Sequence, residues 1–293
     1  MNYIIEKADL ANAETDLQIR RLIKAAFKDD FLHAEGHIVR NIASNASRPS
    51  FILIAKENNE IIGCNAFIAN DFFLNSKNYV GYQSCWTATH PNHQGKKVFV
   101  NIINEAKKIL LQEGAGFLYG LPNDNSYPIF VKKLDFTEYD SMFSRIISMP
   151  FAGKIFTNNS YQPLLHDAVE IDEEQLYEHK KRQRPADILR VNHNNSFIWG
   201  KLEKRKKYGI EFSFFIVGGI KLSEPGSLQG LISGVFKTYK VRFIDIVSCS
   251  LNTNNGIIKK WKKASGLNGF IYYNLNMPDN IKLNLMFGSI DVF

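Results

Sequence analysis

Cysteine is scarce in this sequence. Its three cysteines, Cys64, Cys85 and Cys249, are too few for a disulfide framework, and no two of them have the C-x-x-C spacing of a zinc or redox motif. All three lie in apolar runs typical of strands, where a buried thiol behaves as a small hydrophobic side chain. We therefore predict no bound metal and no role for cysteine in catalysis.

Long hydrophobic runs are also missing. The longest, Phe51–Ala55 and Ile61–Ala69, fall short of the roughly 18 apolar residues that a membrane span needs. The first fifteen residues contain no basic stretch followed by an apolar one, so no signal peptide is expected. These absences predict a cytoplasmic protein that has no membrane partner.

What the sequence does contain is apolar area and positive charge. Of its 293 residues, 45% are hydrophobic and 13% aromatic, which is enough for one large or two medium cores. The formal charge of +7 favours an anionic partner, such as nucleic acid, a phosphorylated cofactor or a nucleotide-linked substrate. Basic residues cluster at 180–190, 201–207 and 259–263, where we expect solvated helix faces, and none of these clusters has the glycine and aromatic pattern of an RNA-recognition module. We predict a small-molecule substrate and no nucleic-acid partner.

Hydrophobic periodicity predicts a mixed α/β fold rather than a regular βαβ repeat. Glycine, asparagine, serine and proline crowd residues 150–163, which indicates a linker between a domain at 1–150 and a second at 164–293. The predicted elements of the first domain are a strand at 3–8, a helix at 14–27, a hairpin at 51–69, a strand at 79–89, a helix from 98, a strand at 117–121, a helix at 126–134 and a strand at 138–148.

The second half has weaker patterns. We predict a helix from 172, strands at 211–217, 230–236 and 242–250, a helix at 255–264, and strands at 270–276 and 283–287. Ser84-Cys85 and Ser248-Cys249 each end a predicted strand and lead through a predicted helix to a Gly-Phe strand start. This pattern indicates a degenerate internal repeat whose second copy lacks a phosphate-binding turn.

The segment Thr89–Phe99 carries the clearest chemical signal. It ends a strand and opens the strongest predicted helix, and it contains Gly95 and two lysines. The start of a helix presents unpaired N–H groups and the positive end of the helix dipole, which together attract a pyrophosphate.

This segment resembles motif A of the GNAT superfamily of acyltransferases, Q/R-x-x-G-x-G/A, with Gln94 in the first position. Lys97 and Phe99 stand at the fourth and sixth positions, where relatives have small residues. Residues 119–136, with their Pro-Asn-Asp-Asn-Ser-Tyr turn, resemble motif B. The resemblance implies a GNAT-type twisted mixed sheet flanked by helices, followed by a second, degenerate GNAT-like half.

The resemblance also implies acyl-CoA, acetyl or longer, as co-substrate. Thr89 would donate main-chain hydrogen bonds to the pantetheine arm, and residues 94–99 would hold the pyrophosphate. The cofactor-binding residues implied in this way are Thr89, Gln94, Gly95, Lys96, Lys97, Val98, Phe99, Asn125 and Phe130.

Acyl transfer to an amine needs a base for the ammonium and a proton for the departing thiolate. We assign the base to His33 or Asp124, with Glu35 and His37 as further candidates, and the acid to Tyr127, one helical turn before Val131, where many relatives carry the acid tyrosine. The predicted substrate-binding residues are Asn123, Glu35, His37, Tyr82, Trp199 and Arg205.

In style the whole sequence is similar to N-acyltransferases that modify nucleotide-linked amino sugars for surface polysaccharides such as O-antigen, for example dTDP-3-amino-3,6-dideoxyhexoses. Under that resemblance the second half supplies acceptor specificity. Three alternatives stay open: a two-domain peptidoglycan or aminoacyl-type transferase, a non-catalytic acyl-CoA-binding module, and a nucleic-acid-binding protein. A homodimer also stays open.

Overall fold

The computed structural model describes residues 3–28, 30–43, 46–138, 144–148, 168–224, 227–248, 259–260, 270–278 and 282–289. The chain divides into two compact units. The first unit consists of residues 1–71, 79–139 and 266–278, and the second unit of residues 72–78, 140–265 and 279–293.

The elements up to residue 138 follow the predicted order. They are β1 Ile4–Lys7, α1 Ala13–Phe27, α2 His37–Ile42, β2 Phe51–Glu57, β3 Glu60–Leu74, β4 Lys77–Thr89, α3 Val98–Gln112, β5 Phe117–Gly120, α4 Tyr127–Lys133 and β6 Thr137–Glu138.

In the described residues after 138 there are two helices, the number predicted, and more strands than predicted. They are β7 Ser144–Ser148, β8 Ala168–Ile171, α5 Glu173–Gln183, β9 Ile188–His193, β10 Ser196–Lys207, β11 Ile210–Lys221, α6 Ser227–Tyr239, β12 Phe243–Ser248, β13 Lys259–Lys260, β14 Ile271–Asn274 and β15 Lys282–Asn284.

The sheet of the first unit has the strand order β1-β2-β3-β4-β5-β14-β6. Asn58 and Asn59 both have positive φ, the geometry of a two-residue hairpin turn, and they fix the β2–β3 register. Successive side chains of β2 point to opposite faces of the sheet. Leu53 packs into the core under α3, whereas Ile52 and Ile54 pack under α1 and α2. Helices therefore cover both faces of the sheet, and the predicted mixed α/β fold is confirmed.

The sheet of the second unit has the order β13-β7-β12-β11-β10-β9. Its core lies between this sheet and α6, and Ile198, Phe215 and Leu231 are among its buried side chains. Strand β8 pairs with residues 72–73 at the end of β3, and β15 pairs with β8.

Both units contain the same run of elements. In the first, β2, β3, β4 and α3 lead to β5, which pairs in parallel with β4. In the second, β9, β10, β11 and α6 lead to β12, which pairs in parallel with β11. The two units therefore share the same run of elements, but the predicted alignment of the two copies was wrong. Ser248 ends β12, after α6, so it does not match Ser84; Cys249 lies outside the described residues.

The division into units does not follow the predicted boundary at residue 150. Strand β7, from the predicted first domain, pairs with β12. Strand β14, from the predicted second domain, pairs with β5 and β6. Each sheet therefore contains a strand from the other half of the sequence.

Two further predictions in the second half were wrong. Residues 230–236 were expected as a strand, but they lie within α6. The basic residues 201–207 were expected on a helix, but they lie on β10. The predicted helix at 255–264 falls outside the described residues except for the two residues of β13.

Candidate functional site

The turn between β4 and α3 is built from short local hydrogen bonds. Pro91–His93 form one turn of 3₁₀ helix, in which the N–H of His93 donates to the carbonyl of His90 at 2.8 Å. The turn closes where the N–H of Lys96 donates to the carbonyl of His93 at 3.4 Å. Residues 94–97 are exposed, so this turn is open to a ligand.

Two residues of this turn have left-handed backbone conformation. Gly95 has φ of +78°, and a Cβ atom added there would meet nothing within 4 Å. Lys97 has φ of 62° and ψ of 14°, which is unusual for a residue other than glycine. The lysine at the fourth motif position thus keeps the conformation that glycine would adopt, although its Cβ atom remains.

The start of α3 has free donors. Lys97 is the N-cap and makes no side-chain cap hydrogen bond, while its carbonyl accepts from Asn101 at 3.0 Å. A helix leaves the amides of its first turn without intrahelical partners, and here these belong to Val98, Phe99 and Val100. Together with the helix dipole they form a local site for an anionic group.

Close packing fixes the start of α3 against the sheet. A Cβ atom on Gly63 of β3 would lie 2.5 Å from Cγ1 of Val98, so only glycine permits this approach. On the other side, the ring of Phe99 contacts Phe130 of α4 at 5.1 Å. The turn is therefore held between β3 and α4.

Strands β4 and β5 pair in parallel over residues 81–83 and 117–119. Beyond the last pair, residues 84–89 of β4 continue toward the turn. Within them, Trp86 has φ of +50°, a conformation that is rare for a bulky side chain. Nothing in the apolar run 79–89 predicts this irregularity.

Three rings lie together beside this part of β4. The imidazoles of His33 and His37 stack, with 4.3 Å between their ring centroids and an angle of 6° between their planes. The indole of Trp86 lies 5.5 Å from His37 and 6.1 Å from His33. We call these three residues the ring cluster. It brings together His33 and His37, while Glu35 is exposed in the loop between them.

The loop before α4 is held by Asn123. Its Oδ1 accepts from the N–H of Asn125 at 3.1 Å and from the N–H of Ser126 at 3.0 Å. Asn123 thus closes the turn that leads to Ser126, the N-cap of α4, which explains its place in the motif. Asp124 and Asn125 are exposed beside it.

Tyr127 begins α4, and its phenol donates to Oε2 of Glu138 at 2.5 Å. This hydrogen bond raises the pKa of Tyr127 to about 12. The phenol therefore keeps its proton at neutral pH and is a weaker acid than an ordinary tyrosine.

Four predicted binding residues have other roles in the structure. Tyr82 is 1% exposed and Trp199 is 0% exposed, so neither ring offers a face to a substrate. Phe130 is buried between Phe99 and Phe136. Arg205 binds Glu203 at 2.5 Å and the buried Asp245 at 2.7 Å.

Contacts with neighbouring elements explain why Tyr82 and Trp199 are buried. Tyr82 points to the core under α3, with its hydroxyl donating to the carbonyl of Pro49 at 3.4 Å. The indole of Trp199 donates to Glu173 at 2.9 Å and is enclosed by Gly218 and Gly288. These contacts account for the burial of both rings, and substrate binding by Tyr82 and Trp199 stays a prediction that the burial does not favour.

Comparison with known proteins finds a family match for part of the chain. Residues 8–138 match the family model of the acetyltransferase (GNAT) domain. This GNAT match includes the turn, the ring cluster and α4. No curated protein matches the sequence.

Solved structures share the fold at low sequence identity. A GCN5-related N-acetyltransferase from Kribbella flavida is 11% identical, with a TM-score of 0.61 over 94% of this chain and 72% of that chain. A probable N-acyltransferase from Enterococcus faecalis is 11% identical, with a TM-score of 0.60 over 94% and 73%. A GCN5-related N-acetyltransferase from Anabaena variabilis is 10% identical, with a TM-score of 0.60 over 94% and 73%. The likeness in fold therefore extends beyond the GNAT match into the second half.

The described ranges contain neither a metal-binding cluster nor a membrane-spanning helix. Their His, Cys, Asp and Glu side chains form no group of three that could hold a metal ion. In the same ranges, no helix combines the length and apolar character needed to cross a bilayer.

Proposed function

We propose that this chain is an N-acyltransferase that moves an acyl group from acyl-CoA directly to a primary amine. The observation that carries the proposal is the turn after β4, where an open left-handed backbone leads into the unpaired amides of α3. Such a site suits the pyrophosphate of coenzyme A. The GNAT match over residues 8–138 supports the same cofactor.

The reaction needs two proton movements. The amine nitrogen attacks the thioester carbonyl carbon and the C–S bond breaks, and the proton that the nitrogen then loses balances the one that the thiolate of coenzyme A takes up. Before attack, the ammonium gives a proton to a base, for which we propose His33 or His37 of the ring cluster, because a neutral imidazole accepts a proton near neutral pH. Asp124, exposed beside the loop that Asn123 closes, is the alternative base.

For the acceptor we propose a nucleotide-linked amino sugar. The support is the formal charge of +7, which favours an anionic acceptor, and the planar groups of the ring cluster, against which the amino-sugar ring can pack. Trp199 and Arg205 give this proposal no support, because both are engaged within the second unit. A role of residues 164–293 in acceptor specificity stays a prediction.

A non-catalytic acyl-CoA-binding module is the second candidate. It is favoured by the hydrogen bond of Tyr127 to Glu138, which occupies the phenol assigned as acid and raises its pKa to about 12.

Release of free thiol separates the two candidates. Acetyl- and longer acyl-CoA would be incubated with the full chain and a panel of nucleotide-linked amino sugars, simple amines and peptides. Release that depends on a nucleotide-linked amino sugar supports the proposed acceptor, and release with another amine supports acyl transfer but not that acceptor. Binding of acyl-CoA without release by any amine supports the binding module.

The site of the cofactor is tested by Gly95→Val. A β-branched residue at φ of +78° is strained and blocks approach of a ligand to the backbone, so the Kd for acyl-CoA is expected to rise about tenfold or more. The matched control is Gly209→Val in the β10–β11 turn, where φ is +79° and a Cβ atom also meets nothing within 4 Å. Equal Kd values of the two variants for acyl-CoA would place the pyrophosphate elsewhere.

A further inference from the structure

Trp86 adopts a conformation that its own sequence does not favour. A bulky side chain at φ of +50° persists only where surrounding contacts hold it, and such residues concentrate at functional sites. Trp86 lies in residues 84–89 of β4, between the parallel pairing with β5 and the turn that leads to α3.

Asn65 of β3 clamps the strand on both sides of Trp86. Its side chain is 0% exposed, and its Oδ1 accepts from Oγ of Ser84 at 3.2 Å and from Oγ1 of Thr87. Its Nδ2 donates to the carbonyl of Ala66 at 2.9 Å. Burying an amide costs little only when its hydrogen bonds are made, and here they hold Ser84 and Thr87, which lie two residues before and one residue after Trp86.

A third contact holds Trp86 itself. Sγ of Cys64 lies 3.6 Å from the carbonyl of Trp86 and donates to it. Burial raises the pKa of the Cys64 thiol to about 12, so the proton needed for this contact stays in place. Two consecutive residues of β3 therefore determine the backbone of β4 at this point.

The other side of the ring cluster is held from α1. Nη1 of Arg20 donates to the carbonyl of His33 at 2.9 Å, and Nε of Arg20 binds Oδ2 of Asp16 at 2.7 Å. Arg20 is 8% and Asp16 is 3% exposed, so this pair is a fixed support and not a surface ion pair. The ring cluster is thus supported by buried polar side chains from two elements.

We propose that Trp86 is the residue that determines acceptor specificity, with Asn65 and Arg20 as positioning residues that act through Trp86 and His33. The amine-bearing end of the acceptor binds against the indole face, which attracts an ammonium, next to an imidazole that takes its proton. This inference rests on the proposed acyl transfer, because it names the wall of that same site.

Kinetics of Trp86 variants test the acceptor role. Trp86→Leu is expected to raise the acceptor KM about tenfold or more, while Trp86→Phe, which keeps an aromatic face, raises it by a smaller factor. The Kd for acyl-CoA is expected to stay within about twofold in both variants. An unchanged acceptor KM in Trp86→Leu overturns the role of Trp86.

Thr87 variants test the positioning role and keep Trp86. Thr87→Val removes the hydroxyl that donates to Asn65 and nearly keeps the side-chain volume, whereas Thr87→Ser keeps a hydroxyl. Trp86 emission is isolated by subtracting the spectrum of Trp86→Phe from that of the same protein with Trp86. We expect Thr87→Val to shift this emission and to raise the acceptor KM severalfold, and Thr87→Ser to change neither.

The two proposals fail differently. If the wild type releases no thiol with any amine, acyl transfer and the acceptor role of Trp86 are both overturned. The Trp86 emission of Thr87→Val still decides whether Asn65 holds the strand, and unchanged emission overturns that part even in an active enzyme.

Discussion

Lys97 carries a conformational cost at the start of α3. A residue with a Cβ atom at φ of 62° is less stable there than glycine by roughly 1 kcal/mol. Under the proposed function, its charge would attract the pyrophosphate of acyl-CoA, which is a gain in binding and not in stability.

The first prediction separates these two effects. Lys97→Gly relieves the strain and is expected to raise the free energy of unfolding by up to about 1 kcal/mol. Lys96→Gly removes the same charge from a residue that does not have positive φ, and it is expected to lower that energy by about 0.5 to 1 kcal/mol. Urea denaturation checks both, and a loss of stability in Lys97→Gly would contradict the strain at this residue.

Tyr127 supports a prediction about pH. The carboxylate of Glu138 raises the pKa of Tyr127 to about 12, so the phenol stays protonated and the hydrogen bond persists below the ordinary tyrosine pKa of about 10. It is lost only as pH rises toward 12. In Glu138→Gln the pKa of Tyr127 is expected to fall toward its ordinary value. Tyrosinate absorbance should then gain a step near pH 10 in Glu138→Gln that is absent from Glu138→Gln/Tyr127→Phe.

The single variant Tyr127→Phe tests by kinetics whether Tyr127 is the general acid. If Tyr127 is the general acid, turnover is expected to fall by about tenfold or more while the Kd for acyl-CoA stays nearly unchanged. Unchanged turnover would leave Tyr127 with the structural contact to Glu138 alone.

At the scale of elements, α3 owes its position to a missing side chain on β3. Gly63→Ala places a methyl group 2.5 Å from Cγ1 of Val98. We expect a loss of about 1 to 3 kcal/mol in the free energy of unfolding and weaker acyl-CoA binding, because the first turn of α3 must move. Val98→Ala in the same chain removes the clash, so the double variant should recover the affinity. Additive losses would contradict direct contact as the cause.

The elements also show what sequence can predict. The β2–β3 hairpin and α3 followed from local signals, a two-asparagine turn and a clear helical period. Helix α6 was missed because Gly230, Gly234 and β-branched residues suggested a strand, although Leu228, Leu231, Ile232 and Val235 recur at helical spacing. Strand β10 was missed because its lysines and arginines obscured the alternation of its faces.

The site was predictable in part for the same reason. The turn at 89–99 is local in sequence, so its residue types point to it directly. Burial of Tyr82 and Trp199, the ion pair of Arg205 with Asp245, and the left-handed Trp86 depend on residues distant in sequence. No single segment contains a signal for them.

At the scale of the whole molecule, the exchanged strands decide which fragments can fold. Residues 1–150 include β7, whose partners β12 and β13 belong to the second unit, and lack β14, whose Ile271 is 0% exposed in the core under α3. We expect this fragment to aggregate, because it exposes a strand edge and part of a core.

A fragment that restores β14 should behave better. Residues 1–139 joined by a flexible linker to 266–278 restore β14 between β5 and β6. We expect this fusion to be soluble, to unfold cooperatively and to bind acyl-CoA, as measured by thermal denaturation and titration. If the 1–150 fragment is equally soluble, unfolds as cooperatively and binds acyl-CoA as well, then β14 is dispensable.

The place of β14 in the first sheet also sets an order of events during synthesis. Residues 3–138 leave the ribosome before residues 271–274 have been made, so the first sheet cannot be completed while translation of the second half is in progress. Its contacts span about half of the sequence, and contacts of such high separation slow folding. The nascent first half must therefore wait with an open strand edge, and we expect its yield in cells to depend on chaperones that cover this edge until the last strand arrives.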